Sequence, residues 1–199
     1  ESHGDFIMYV DDDDELLPMN IEKKLSLFTR ESIGLVYSRA YIKDYYSQNI
    51  RVTNYKLYRG YVFDKLILNN FVGAFPLIRK CCLMKTGLFD STLQAEQDID
   101  MWLRIASNYE FDYIDEPLAI VHQHKSERIT TNISKKIQGL DALIIKHEKY
   151  LRNHRYAYSR RISRLVIYYS FIDRKKAFRL LIKAIKLCPF AFKHNLIAL

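Results

Sequence analysis

The stretch Gly4-Asp-Phe-Ile-Met-Tyr-Val-Asp-Asp-Asp-Asp-Glu-Leu-Leu-Pro18 decides the fold of this chain. Residues 6–10 are a continuous apolar run of strand length, which predicts a β-strand covered on both faces. Four aspartates and a glutamate follow directly, so the acids lie at the carboxyl end of that strand. Ligands bind at this edge in open α/β sheets. The stretch therefore predicts an α/β domain with a polar site after its first strand.

The acidic run at residues 11–15 is suited to a divalent cation. Adjacent aspartates repel one another and take up protons unless a cation offsets their charge. Carboxylate oxygens suit Mg²⁺ or Mn²⁺, which commonly share their coordination with substrate phosphates. On an extended segment, Asp11 and Asp13 would point to the same side. A solvated acidic turn, or negative charge at the start of the next helix, is the alternative interpretation.

Beyond the acidic run, helical and strand patterns alternate as far as residue 132. Helices are predicted over residues 18–30, 62–69 and 96–108, and strands over residues 33–42, 75–79, 109–114 and 118–122, the last two separated by a turn at Glu116-Pro117. Residues 43–60 are polar and rich in tyrosine, which indicates a hairpin or an irregular loop. From residue 133 onward the pattern predicts three or four helices and no strand. We therefore predict two domains, residues 1–132 and residues 133–199.

Asp98 interrupts the apolar face of the helix predicted over residues 96–108. On a helical wheel it falls between Trp102 and Ile105, whereas Asp100 falls on the polar arc. A carboxylate on the apolar face loses solvent, which raises its pKa, while the helix N-terminus lowers it. Such a group could accept a proton from a hydroxyl, which is general-base chemistry. The alternative is a capping carboxylate or a buried ion pair, with Arg79 as a candidate partner.

Three stretches, in this order along the chain, together resemble family 2 glycosyltransferases of the GT-A fold. The first is the strand and acidic run of residues 4–18, which is similar to the family's Asp-x-Asp loop. The second is Gly87-Leu-Phe-Asp90 followed by Glu96-Gln-Asp-Ile-Asp-Met-Trp-Leu-Arg104, and the third is residues 109–118 with His124. The resemblance implies an α/β fold, with a partial GT-A mixed sheet and flanking helices over residues 1–132 and an all-α C-terminal region.

The resemblance also implies an activity. It is that of an inverting, hexosyltransferase-type enzyme, which moves a sugar from a nucleotide-diphospho-sugar to a hydroxyl of a saccharide or lipid-linked acceptor during the synthesis of surface polysaccharide or glycan. By position, Asp11 and with it Asp12 would contact the nucleotide, and Asp13 would hold Mn²⁺ or Mg²⁺ on its diphosphate, although a run of four aspartates leaves the roles of Asp12 and Asp14 open. Asp98 would be the catalytic base that deprotonates the acceptor hydroxyl.

This sequence departs from the family pattern at several points. Gln97 stands where the family usually has Glu, and His122 where it often has Arg. His122 and His124 share one strand face, so His124, and less readily His122, would add a metal or phosphate ligand. Ordinary hydrogen bonds of two strand histidines are the alternative. The family's first, nucleotide-binding half has no counterpart here, so we expect a fragment that is inactive alone.

Charge and composition indicate where the protein works. Lys and Arg number 31 against 23 Asp and Glu, and the excess lies in the C-terminal helical region. Three cysteines, two of them adjacent, fit a reducing cytoplasm, and no apolar run reaches the roughly 18 residues of a membrane span. The basic tail favours a peripheral contact with anionic lipid at the inner face of the plasma membrane. No nucleic-acid-binding motif is recognised, so nucleic acid is not expected as a partner.

Two rival functions remain open at this stage. One is a non-catalytic helical module that binds a membrane or nucleic acid through residues 133–199. The other is a metal-dependent phosphoesterase, a nuclease or phosphatase, that uses Asp11, Asp13 and Asp98. Hydrolysis of phosphodiesters without a sugar acceptor would support the second.

Overall fold

A computed structural model of the chain describes residues 3–44, 46–123 and 132–190. The chain divides into two compact units, Glu1–Phe89 with Met101–Ser126 and Asp90–Asp100 with Glu127–Leu199. The elements in chain order are β1 (Phe6–Ile7), β2 (Glu15–Leu16), α1 (Asn20–Ser26), β3 (Ile33–Asp44), β4 (Ile50–Val52), α2 (Phe63–Leu66), β5 (Leu77–Arg79), α3 (Lys80–Thr86), α4 (Gln97–Ala106), β6 (Glu110–Gln123), α5 (Ile133–Lys146), α6 (Glu148–Asn153), α7 (Arg155–Ser170) and α8 (Arg174–Leu187). The division between the two units falls inside α4.

The first unit is built on a mixed sheet of six strands. Their order is β1-β5-β3-β6-β2, with β4 paired to β3 as a hairpin partner. The β3–β6 pair is parallel and the other pairs are antiparallel. A mixed α/β sheet with flanking helices is what the sequence predicts, and the prediction is confirmed.

The first strand is shorter and more open than its apolar sequence predicts. Only Phe6 and Ile7 pair with β5, both are half-buried, and Val10 is exposed. The expected strand over residues 6–10, covered on both faces, is therefore wrong. An apolar run determines which side chains a strand can bury. The length of the strand depends instead on hydrogen-bond partners for its backbone N–H and C=O groups. Within the described residues β1 lies at the end of the sheet and pairs with β5 alone.

Strand β3 carries the core of the first unit. Leu35, Val36 and Tyr37 have no exposed surface, which fits the continuous apolar run of a central strand. Gly34 is required by close approach, because a Cβ there would lie 2.7 Å from the Cβ of Tyr109 and 2.9 Å from the Sγ of Cys82. The sheet and helix α3 therefore meet at a point where only glycine fits.

Strand β6 runs through Pro117, where the sequence predicts a turn. Ser38 of β3 pairs with Ile114 and Arg39 pairs with Pro117, so Asp115 and Glu116 are extra residues of a bulge. Proline has no N–H to give to the ladder and is tolerated in sheets at such bulges. The predicted turn and the separation into two strands are therefore wrong.

Over the described residues from 133 to 187 the second unit is helical, as the sequence predicts. Asn132 begins α5 by accepting a hydrogen bond from the N–H of Lys135, and Asp173 begins α8 in the same way with Lys176. Helices α7 and α8 pack closely, and the Oγ of Ser159 donates to the carbonyl of Ala184 at 2.8 Å. No helix of the described part of the chain is long and apolar enough to cross a membrane.

Lys24 of α1 is a buried cation in the first unit. Its side chain has no exposed surface, and its Nζ donates to the carbonyl of Phe75 at 2.7 Å. Phe75 has a positive φ of 53°, an uncommon conformation for a bulky residue. Burial lowers the pKa of Lys24 to about 7. The ammonium is therefore costly to bury, and the neutral amine can keep the same hydrogen bond.

The stability of the first unit should rise with pH between pH 7 and 9 because of Lys24. In this window the unfolded chain holds the lysine proton and the folded chain releases it, so unfolding takes up a proton. Relative to Lys24→Met, the wild type should gain up to ~1.4 kcal/mol per pH unit, the limit for one proton. Urea unfolding followed by the fluorescence of Trp102, in the same unit, measures this. Parallel pH profiles of the two proteins would contradict it.

Candidate functional site

The acidic run forms a tight turn after β1. The N–H of Asp14 donates to the carbonyl of Asp11 at 3.3 Å, and residues 12 and 13 occupy the corner. The side chains of Asp11, Asp12 and Asp13 are exposed. The expectation of Asp11 and Asp13 on one side of an extended segment is wrong, because a turn, not a strand, carries them.

Asp14 and Glu15 fasten this turn to β6. The Oδ1 of Asp14 accepts the backbone N–H of His122 at 2.8 Å, and the ring Nε2 of His122 lies 2.7 Å from the Oε1 of Glu15. Burial raises the pKa of Asp14, and the charges of Asp13 and Asp11 add to the rise, whereas the His122 N–H opposes it. Asp14 therefore serves the fold, while residues 11–13 face solvent.

The donor set of the turn fits a hard divalent cation only in part. Carboxylate oxygens are the ligands that Mg²⁺ and Mn²⁺ prefer, and Mg²⁺ is usually held by one or two carboxylates with substrate phosphates. The described ranges contain no group of three or more His, Cys, Asp or Glu side chains that could hold an ion. His122 makes the contact with Glu15, and His124 lies outside the described residues. A cation here would therefore depend on the phosphates of a bound nucleotide.

A row of three aromatic rings connects the segment just before the acidic turn to the Gly-x-Phe-Asp segment. The ring of Tyr9 lies 4.8 Å from that of Phe89, and Phe89 lies 6.5 Å from Trp102, both pairs edge-on. Such edge-to-face pairs are favourable beyond the area they bury. The row connects Tyr9, two residues before Asp11, to Trp102 of α4 through the ring of Phe89.

Arg104 holds the other side of the same segment. Its guanidinium donates to the carbonyls of Thr86, Gly87 at 2.7 Å and Leu88 at 2.6 Å. Gly87 has a φ of 86°, which favours glycine, and it ends α3. The segment that resembles the family motif is thus fixed by a conformational constraint and by three charge-assisted hydrogen bonds.

Asp98 and Asp100 have the opposite burial from the one predicted. Asp98, in the first turn of α4, is exposed, and Asp100 has no exposed surface. The Nζ of Lys146 lies 2.8 Å from Asp100, and the Nε2 of His147 lies 3.6 Å away. The end of α5 therefore covers the arc that a helical wheel assigns to solvent. The suggested partner Arg79 instead donates to the carbonyls of Ile33 and Phe28.

Two arginines of α7 lie in the electrostatic field of Asp98. Burial lowers the pKa of Arg161 to about 10, and the charges of Glu96 and Asp98 act in the opposite direction. For Arg164 burial also lowers the pKa, but the charge of Glu96, the contact with Tyr168 and, least of these, the charge of Asp98 outweigh it, so the pKa is raised. Asp98 therefore stands in a strongly charged neighbourhood within the second unit. The role of Asp98 as the catalytic base stays a prediction.

Sequence reasoning missed the cations that act on the carboxylates of the first turn of α4. Arg161 is almost fully buried on α7, with Tyr158, Ile162 and Leu165 buried on the same helix. These positions follow the spacing of a helical apolar face, and Arg161 interrupts it. The same test that singled out Asp98 would therefore have found Arg161. No periodic signal marks Lys146 as the partner of Asp100.

Comparisons with known proteins identify a family for this chain. The family described as glycosyltransferase like family 2 matches residues 1–160. Over 158 residues the chain is 30% identical to the putative colanic acid biosynthesis glycosyl transferase WcaA of Escherichia coli K12, covering 74% of this chain and 53% of that protein. It is 26% identical to an uncharacterized glycosyltransferase of Haemophilus influenzae, covering 76% and 55%. The chain spans about half the length of these curated relatives.

A solved structure shows the same fold. It is that of Staphylococcus aureus TarS residues 1–349 in complex with UDP-GlcNAc, with a TM-score of 0.62 and 11% sequence identity. The match covers 92% of this chain and 56% of that TarS chain. At that identity the likeness concerns the fold alone, and it confirms the predicted GT-A type of sheet with flanking helices.

Proposed function

This chain belongs to the glycosyltransferase-like family 2, and we propose that the protein moves a sugar from a nucleotide-diphospho-sugar to an acceptor hydroxyl with inversion of the anomeric carbon. The family match over residues 1–160 carries the proposal, because it takes in the acidic turn, the Gly-x-Phe-Asp segment and the start of α4. TarS was solved with UDP-GlcNAc, which supports a nucleotide sugar as donor here.

The acidic turn is the proposed donor site. Asp11 and Asp12 are exposed carboxylates that can accept hydrogen bonds from hydroxyl or N–H groups of a nucleotide. Asp13 would hold Mg²⁺ or Mn²⁺ together with the diphosphate, and the bound cation would neutralise the charge of the departing nucleoside diphosphate. Asp14 keeps the turn on β6, so that the three carboxylates are presented from a fixed backbone.

Asp98 is the proposed base. Its carboxylate is exposed in the first turn of α4, where an acceptor hydroxyl can reach it. It would take the hydroxyl proton as the oxygen attacks the anomeric carbon, and the nucleoside diphosphate would leave from the opposite face. A single displacement of this kind inverts the anomeric carbon.

The acceptor is proposed from the named relative. WcaA is described as a glycosyl transferase of colanic acid biosynthesis. We therefore propose a hexosyl transfer to a saccharide or lipid-linked acceptor in polysaccharide synthesis for this protein as well.

Substitution of Asp98 and of Asp13 should separate catalysis from donor binding. In the full-length protein, Asp98→Asn should lower kcat about 10²- to 10⁴-fold and leave the donor Kd unchanged, because the base acts only in the transition state. Asp13→Asn should weaken Mn²⁺-dependent binding of the nucleotide at least about tenfold. Transfer assays and titration calorimetry with UDP and Mn²⁺ measure both effects.

The matched control is Asp64→Asn, which changes an exposed aspartate of α2 and should leave both values unchanged. Unchanged turnover in Asp98→Asn and Asp13→Asn would contradict the assignment of this site. Phosphodiester hydrolysis without sugar transfer would instead favour a phosphoesterase.

The exposed face of α8 is the proposed membrane contact. Phe178 is 62% exposed, and Ile182 and Ile185 are each 39% exposed, while Ala177 and Ala184 are buried on another side of the helix. Helix α8 contains six Lys or Arg and no acidic residue. An apolar strip bordered by cations is typical of helices that lie in the interface of an anionic bilayer.

Two of the six cations of α8 are exposed and also contact tyrosines of α7. Lys176 lies over the ring of Tyr169, and the Nζ of Lys183 lies 3.2 Å from the hydroxyl of Tyr158. Lys175, Arg179 and Lys186 are exposed and lie beside the apolar strip on the helical wheel. We therefore propose an anionic lipid surface as the partner of this face, which suits a lipid-linked acceptor.

Vesicle flotation should show this preference. The full-length protein should float with vesicles that contain phosphatidylglycerol and not with pure phosphatidylcholine. The substitution of Lys175, Arg179 and Lys186 by Gln should weaken binding about 100-fold, at ~1 kcal/mol per cation. Phe178→Ser should weaken it as well, whereas Met84→Ser, a control at an exposed apolar residue of α3, should not. Equal binding to both vesicle types, or binding of RNA alone, would contradict the proposal.

A further inference from the structure

We infer that the helical region after residue 132 is a positioning element for Asp98, which it holds through contacts on both sides of that residue. The inference rests on the proposed role of Asp98 as the base. All the contacts belong to the second unit, which contains residues 90–100 together with helices α5–α8. They involve the backbone before α4, Glu96 at its start and Asp100 one turn further on.

The first contact lies at Glu96, two residues before Asp98. Glu96 has a φ of 64°, a left-handed conformation that is uncommon for a residue with a long side chain. Its carboxylate lies 3.3 Å from Nη2 of Arg164 and 3.7 Å from Nη1 of Arg161. Backbone strain of this kind persists where the surroundings over-determine it. Two cations of α7 supply that restraint.

The second contact lies at Asp100, two residues after Asp98. Lys146, near the end of α5, donates to Asp100 at 2.8 Å and to Asp90 at 2.9 Å. Burial lowers the pKa of Lys146, but the two carboxylates outweigh it and the pKa is raised. Asp90 in turn accepts from the hydroxyl of Thr92, and this bond and Lys146 lower its pKa. One ammonium therefore joins the Gly-x-Phe-Asp segment to α4.

The third contact is steric. Gly139 of α5 lies against Ala95, and a Cβ at Gly139 would lie 2.4 Å from the carbonyl oxygen of Ala95. Real Cβ atoms do not approach backbone that closely, so Ala at this position would push α5 and residue 95 apart. The backbone just before the strained Glu96 is thus set by the surface of α5.

These contacts restrain the first turn of α4 in its rotation about the helix axis and in its position along that axis. Asp98 lies between Glu96 and Asp100, each of which is paired with a different helix, α7 and α5. Catalytic groups need to be held within about 0.5 Å of the productive geometry, and a misplacement of ~1 Å can cost about 100-fold in rate. The helical region therefore orients the base, and this role is additional to any contact that the region makes with a surface.

The test uses Arg164→Gln in the full-length protein, because Arg164 is partly exposed and its loss leaves Arg161 beside Glu96. We expect kcat, normalised to donor-binding sites, to fall about 10- to 100-fold while the donor KM stays unchanged. Arg164→Lys should recover part of the loss. Gly139→Ala should act in the same direction. The control Arg152→Gln removes an exposed pair with Glu148 and should leave kcat unchanged.

A double-substitution cycle with Asp98→Asn shows whether the effect acts through the base. In the Asp98→Asn background, Arg164→Gln should have no further effect on the residual turnover, since a positioning residue acts only through the group it positions. An undiminished further loss would overturn the inference, as would an unchanged kcat in Arg164→Gln. If Asp98→Asn itself keeps full turnover, the proposed function of Asp98 fails, which is a distinguishable result.

Discussion

The pairing of the buried Asp100 with Lys146 is the interaction on which the start of α4 depends. A carboxylate without exposed surface is tolerated only with a cation and hydrogen bonds around it, and removal of one partner of such a pair is strongly destabilising. Because Lys146 also pairs with Asp90, the same cation fixes the segment that leads into α4. Lys146 of α5 therefore links Asp90 and Asp100, which both belong to the segments that resemble the family motif, to the helical region.

This pairing gives the helical region a structural role at the start of α4. Residues 90–100 belong to the same compact unit as α5–α8, although they precede β6 in the chain. The first unit contributes the acidic turn, which Asp14 holds on β6, and the row of Tyr9, Phe89 and Trp102. A contact with a lipid surface is proposed separately for the exposed face of α8.

The sequence predicted the elements well where burial follows a regular period. Strand β3 and the helices of the second unit were found because their apolar residues repeat as those elements require. The Glu116-Pro117 turn was wrong because a bulge absorbs a proline without ending the strand, and a local pattern contains no information about the partner strand. The length of β1 was wrong for the same reason, since pairing sets it.

The candidate site was predictable by residue type but not by environment. The helical wheel and the motif both indicate Asp98, yet a wheel drawn for one helix assumes one buried face, and α5 covers a second face at Asp100. Which aspartate of residues 11–14 serves the fold also depended on a contact with His122, 108 positions away. The local spacing of residue types does not predict contacts between residues so far apart in the sequence.

The most direct test of the account is a crystal structure of the full-length protein with Mn²⁺, an unreactive nucleotide-sugar analogue and an acceptor. We predict Asp13 beside the diphosphate, and the Asp98 carboxylate ~3 Å from the acceptor hydroxyl, across the anomeric carbon from the leaving group. The sugar should separate the two carboxylates. A direct hydrogen bond between Asp13 and Asp98, or Asp98 pointing away from the sugar, would contradict the account.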